Sequence, residues 1–105
     1  MLAGTAGPDI IVGRGGDDRI DAGDGDDLVC AGDGDDVVWG GPGRDVLYGG
    51  PGDDRLRGMQ DDDRLHGEAG NDYLAGEPGD DLRVGADGFD RLEGGPGDDV
   101  LGGGA

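Results

Sequence analysis

Residues 40–48 read GGPGRDVLY and residues 49–57 read GGPGDDRLR, so Gly40 to Arg57 is one nine-residue sentence written twice. Each half is Gly-Gly-x-Gly-x-Asp followed by x-apolar-x. A fixed short period constrains a fold before any local propensity does. Followed outward, the frame holds from Gly4 to Gly102 as eleven units, without insertion or deletion. It also runs into both ends: Leu2 falls on the apolar position of a preceding unit, and Gly103-Gly104-Ala105 opens another. Residues 1–105 therefore read as a single array, expected to belong to a longer one or to be capped by segments outside it.

Two positions carry the period. The sixth is Asp in every unit: Asp9, Asp18, Asp27, Asp36, Asp45, Asp54, Asp63, Asp72, Asp81, Asp90 and Asp99. The eighth is aliphatic in all but one: Ile11, Ile20, Val29, Val38, Leu47, Leu56, Leu65, Leu74, Leu92 and Leu101, with Arg83 the exception.

Composition alone points toward disorder. The chain has 105 residues, a net charge of -18, 28 glycines, and only 32% hydrophobic and 4% aromatic residues, too little apolar material for a conventional core. The period tips the choice toward an ordered repeat. A polyanion of this kind is not a nucleic-acid or anionic-lipid binder; the natural partner of so many carboxylates is a cation. No apolar run reaches the length of a membrane span. A single Cys, Cys30, excludes an internal disulfide.

The unit divides into a strand and a bend. The eighth position, flanked by outward seventh and ninth positions, makes a three-residue strand with one inward side chain, spanning only ~10 Å. Such a strand must stack on copies of itself. Glycines at positions one, two and four permit positive φ and let backbone carbonyls turn toward a common centre. Two units then complete one turn of a coil with two sheets and two columns of bends.

The units resemble the RTX (repeats-in-toxin, haemolysin-type) calcium-binding nonapeptide G-G-x-G-x-D-x-U-x, over essentially the whole chain. The resemblance implies an all-β, right-handed parallel β-roll with Ca²⁺ between the bends of successive turns. It also implies the ligands: the sixth-position Asp carboxylates named above, with backbone carbonyls of bends such as Gly23, Gly25, Gly32, Gly34, Gly41, Gly43, Gly50 and Gly52. Oxygen-only ligands suit a hard cation, and flexible backbone cages suit Ca²⁺ better than Mg²⁺. Pairing each unit with the next but one leaves about nine complete sites, eleven units less two.

In such a roll one column carries Asp9, Asp27, Asp45, Asp63, Asp81 and Asp99, the other Asp18, Asp36, Asp54, Asp72 and Asp90. Neighbours ~4.8 Å apart repel by roughly 1 kcal/mol in water and several times that in a protein environment. The chain is therefore expected to be disordered without calcium and to fold on binding it. Asp at position five (Asp17, Asp26, Asp35, Asp53, Asp62, Asp80, Asp98) is expected to point away from the cages and to solvate the surface.

The pattern breaks twice. Residues 58–63 read GMQDDD, which puts Asp61 at a bend position that favours glycine and predicts a looser cage. Arg83 would place a guanidinium in the apolar stack, predicting local disorder, a one-residue slip that turns Leu82 or Val84 inward, or snorkelling. Of the outward faces, one carries an apolar strip (Ile10, Val12, Leu28, Cys30, Val46, Tyr48), a candidate contact for a partner or a parent-protein domain. The other carries Arg19, Arg55, Arg57 and Arg91 among carboxylates.

No catalytic constellation emerges. The chain lacks Ser and Lys, and neither Cys30 nor Thr5 has a His at a recognisable spacing; His66 reads as a surface residue. The expected role is a non-enzymatic, calcium-induced folding module of a secreted, extracellular bacterial protein, where calcium reaches the millimolar range that weak sites need. The alternative is an accessory or adhesive module using one sheet face to hold a polysaccharide or a cell-surface glycan.

Overall fold

The computed structural model describes residues 2–86, 88, 90–93 and 95, together with the backbone of 100–102. Twelve short strands recur every nine residues: β1 (Leu2–Ala3), β2 (Ile10–Val12), β3 (Arg19–Asp21), β4 (Leu28–Cys30), β5 (Val37–Trp39), β6 (Val46–Tyr48), β7 (Arg55–Arg57), β8 (Arg64–His66), β9 (Tyr73–Ala75), β10 (Leu82–Val84), β11 (Arg91–Glu93) and β12 (Val100–Gly102). Odd strands form one six-stranded sheet in the order β1-β3-β5-β7-β9-β11, and even strands form a second, β12-β10-β8-β6-β4-β2. All pairings are parallel, and each residue meets the one eighteen further along, as in Val38↔Leu56 and Leu47↔Leu65. The molecule is a parallel β-roll with two nonapeptides per turn.

The core is a single file of side chains between the sheets. Ile20, Val29, Val38, Leu47, Leu56, Leu65 and Leu74 are all fully buried, with Ala22 and Ala31 beside them and Ile11 and Leu92 packed at the margins. A three-residue strand admits only this one inward side chain, because neighbours alternate across the sheet.

Arg83 corrects an expectation. β10 neither slips nor loses its strand: Leu82↔Arg64, Arg83↔Leu65 and Val84↔His66 continue the register. Arg83 points inward and is 0% exposed, while Leu82 and Val84 stay half-buried on the outer face. Register is held from outside the core, by bonds in the bends. From Gly4 to Gly76 the N–H of the first-position residue reaches the ninth-position carbonyl of the turn above, as in Gly40 to Arg57 at 2.8 Å and Gly67 to Val84 at 2.9 Å. The seventh-position N–H reaches the sixth-position carbonyl of the turn below, as in Arg55 to Asp36 and Leu82 to Asp63. A core side chain changes none of these bonds, so one guanidinium does not shift the strand.

Candidate metal centre

The bends use two left-handed positions, and they are not equivalent. Position two has φ between 68° and 96° in ten units, where glycine alternates with Arg14, Met59, Glu68, Glu77 and Ala86. L-residues occupy this region at a modest cost. Position four reaches φ 116° at Gly70, 122° at Gly52 and 133° at Gly79, beyond what a side chain tolerates. A Cβ would collide with the backbone of the turn below at either kind of glycine, at Gly43 and Gly52 of position four and at Gly32 and Gly41 of position two. Only position two has several non-glycine units, which sit at the smaller φ of 68–79°. Asp61, the one described non-glycine at this position, sits at φ 78° and takes the N–H of Gly43 on Oδ2 at 2.9 Å. Its side chain thereby repairs the bend it distorts.

The sixth-position carboxylates form the two expected columns, joined by a bond not foreseen from sequence. Each backbone N–H donates to Oδ1 of the Asp one turn on: Asp9 to Asp27, Asp27 to Asp45, Asp45 to Asp63, and Asp63 to Asp81 at 2.8–2.9 Å. The other column runs Asp18 to Asp36, Asp36 to Asp54, Asp54 to Asp72 and Asp72 to Asp90 at 2.7–2.9 Å. Asp99 lies outside the described residues.

The second oxygen has no such use. Oδ2 of Asp18, Asp27, Asp36, Asp45, Asp54, Asp63 and Asp72 is buried without a hydrogen-bond partner. Asp36, Asp45, Asp54 and Asp63 are each only 1% exposed. Buried polar atoms are ordinarily paired, and seven orphans at one repeat position constitute a pattern. Burial is the main cause of a raised pKa, with neighbouring carboxylates adding to it against the lowering effect of the backbone N–H bond. Asp63 is pushed to about 8, Asp45 and Asp54 to about 7, and Asp72 to about 6. Asp27 and Asp36 are raised for the same reasons.

Bend carbonyls supply a second set of oxygens. The N–H groups of the bends are spent between turns, as in Gly25 to Pro42, Gly34 to Pro51 and Gly52 to Ala69 at 3.0–3.1 Å. The carbonyls of Gly23, Gly25, Gly32, Gly34, Gly41, Gly43, Gly50 and Gly52 accept no hydrogen bond from a described residue. They face the turn above: the Gly23 carbonyl oxygen lies 2.5 Å from where a Cβ of Gly41 would stand. Each column thus combines buried anionic oxygens with unspent neutral ones, and nothing softer than oxygen.

That donor set fits a hard cation of flexible coordination, Ca²⁺ before Mg²⁺. Among the described residues no three His, Cys, Asp or Glu side chains gather into one metal-holding group. This agrees with a site that draws on the backbone for much of its shell.

Position five has a second role beside the expected one. Among the described residues these carboxylates are exposed, as expected, but they also stitch the roll; Asp98 lies outside the described residues. Asp17 Oδ1 accepts the N–H of Asp35, Asp35 that of Asp53, and Asp53 that of Asn71. In the other column Asp26 accepts from Arg44, and Asp62 from Asp80. Position five reaches one turn forward for its donor and position six one turn back, so adjacent aspartates bind opposite neighbours. The recurrent Asp-Asp pair was the available signal; side-chain alternation drew attention only to which way each points.

On the outer faces Tyr48 stacks on His66 at 4.8 Å between ring centroids. Arg91 lies 5.6 Å over the Tyr73 ring, and both engage Glu93. No helix among the described residues is long and apolar enough to cross a membrane.

A scan against protein-family models matches the RTX calcium-binding nonapeptide repeat in four copies, over residues 1–29, 31–56, 48–82 and 84–105. No curated protein matches the chain. With period, fold and family model in agreement over nearly its full length, the chain belongs to the RTX calcium-binding nonapeptide repeat family.

Proposed function

We propose that this chain is one continuous calcium-binding array whose folding depends on the ion, serving a secreted bacterial protein outside the cell. The observation that carries the reading is the row of buried, unpartnered Oδ2 atoms repeated along both columns. A folded chain with those oxygens ionised and uncompensated is costly. A divalent cation would neutralise them and draw in the idle bend carbonyls.

The ligands are the carboxylates of Asp9, Asp18, Asp27, Asp36, Asp45, Asp54, Asp63, Asp72, Asp81, Asp90 and Asp99, with the second- and fourth-position carbonyls, making about nine sites between turns. The role is architectural rather than catalytic. Net charge of -18 opposes folding at low calcium, which suits a segment that stays unfolded until it leaves the cell.

Calorimetric titration of calcium into the metal-free chain tests this. The expected result is cooperative uptake of several ions per chain, with magnesium unable to replace them. One ion or none per chain contradicts the reading.

A further inference from the structure

Arg83 occupies the position that holds an aliphatic side chain in every other unit, yet it lies in the core at 0% exposure. A guanidinium cannot rest in an apolar stack without an opposite charge. Its side chain leaves the file of core residues and enters the bend of its own unit, where Nη1 stands 4.0 Å from Asp81 Oδ2. Gly76, the first residue of that unit, marks the spot: a Cβ there would lie 2.5 Å from Arg83 Nη1 and in collision with Asp81 Oδ2. At Gly40, Gly49, Gly58 and Gly67 the same space meets the sixth-position carboxylate and backbone or other carboxylate atoms, never a cation.

The oxygen beside Arg83 is the counterpart of the one that stays unpartnered in Asp45, Asp54, Asp63 and Asp72, and at 4.0 Å the guanidinium stands next to it as an opposite charge rather than as a hydrogen-bond donor. Asp81 Oδ1 keeps its ordinary bond from the N–H of Asp63 at 2.8 Å, so the bend itself is regular. What differs is the charge beside it.

We propose that Arg83 is a built-in cation that stands in for calcium at the Asp81 bend. The turn closes there on a side chain of the protein, and the guanidinium repels a divalent ion from the same carboxylate. This rests on the calcium reading above and narrows it: Asp81 leaves the ligand set, and the array binds one ion fewer than its repeat count implies. The eighth position explains how this is arranged: it lies two residues beyond the sixth, on the same inward side of the strand, and only a long side chain can turn back from there to the bend.

Native mass spectrometry at saturating calcium counts the ions directly, with circular dichroism reporting whether each chain is folded. Arg83→Leu restores the aliphatic side chain of the other units, and Arg83→Met keeps much of the length without the charge. Each variant is expected to carry one more calcium than the parent. An unchanged or smaller count in the folded variants overturns the proposal. So does failure of both variants to fold at saturating calcium, because the ion should then replace the guanidinium. A parent chain that takes up no calcium overturns the calcium reading itself, and this one with it.

Discussion

The turn from Gly40 to Arg57 and the turn from Gly76 to Glu93 have the same strand register and different contents. The first places Leu47 and Leu56 in the core, both fully buried, and holds Asp45 and Asp54 at 1% exposure. The second replaces one core leucine with Arg83, and its other, Leu92, is half-buried, as is Asp90. At position two the first turn has Gly41 and Gly50, while the second has Glu77 and Ala86 at φ 68° and 71°. At position four both keep glycine: Gly43 and Gly52 in one, Gly79 and Gly88 in the other. Core side chain and second glycine thus change between the two turns, whereas the fourth glycine and the sixth aspartate do not; elsewhere among the described residues position four admits only Asp61, at φ 78°. The bends, rather than the core, define the roll.

That contrast predicts its largest effect in the absence of metal. Asp45 and Asp54 rise from 3.8 to about 7 in the folded turn, and Asp63 to about 8. Below pH 3.8 both folded and unfolded forms are protonated and the carboxyls impose no penalty. As pH rises past that value the unfolded chain loses protons that the folded chain retains. Each group then weakens the fold by about 1.4 kcal/mol per pH unit until its folded value is passed. Metal-free chain should therefore gain strand signal on acidification from pH 8 to pH 4, seen by circular dichroism. A loss of strand over that range would contradict the buried-carboxylate account.

Next in size is the fourth glycine. Gly52→Val puts a side chain at φ 122° against the Gly34 carbonyl and should destabilise the calcium-loaded fold by more than about 4 kcal/mol. Gly50→Glu, which copies the second turn's Glu77 into the first, meets the Gly32 carbonyl at 2.7 Å until the bend relaxes toward the smaller φ of Glu77, and should cost about 1–3 kcal/mol, less than Gly52→Val. Denaturant melts in excess calcium measure both, and equal costs would remove the distinction between the two positions.

The smallest effect belongs to position five. Asp35→Ala removes the acceptor for the N–H of Asp53 and should cost about 0.5–1.5 kcal/mol, with the calcium count unchanged in native mass spectrometry. A lost ion would make position five part of the metal shell.

Much of this was legible in the sequence because a nine-residue period leaves few choices. The in-frame Asp and aliphatic positions gave the strands, the eighteen-residue turn and the two carboxylate columns. The hydrogen bonds from each sixth-position N–H to the next aspartate were not legible, since they depend on how a carboxylate divides its two oxygens between turns. The position-five ladder was missed for a related reason: an exposed acid can still bind backbone. Arg83 was judged from the core, where it is costly, while the bonds that hold its strand in place lie in the bends, and its counter-charge, Asp81, is only two residues away.

The most direct test of the central claim is the far-ultraviolet circular dichroism of the purified chain at neutral pH, first in excess chelator and then across a calcium titration. The account predicts a disordered spectrum in chelator that converts cooperatively to strand, with a midpoint on the order of 0.1–1 mM. Full strand signal already present in chelator at neutral pH would contradict it.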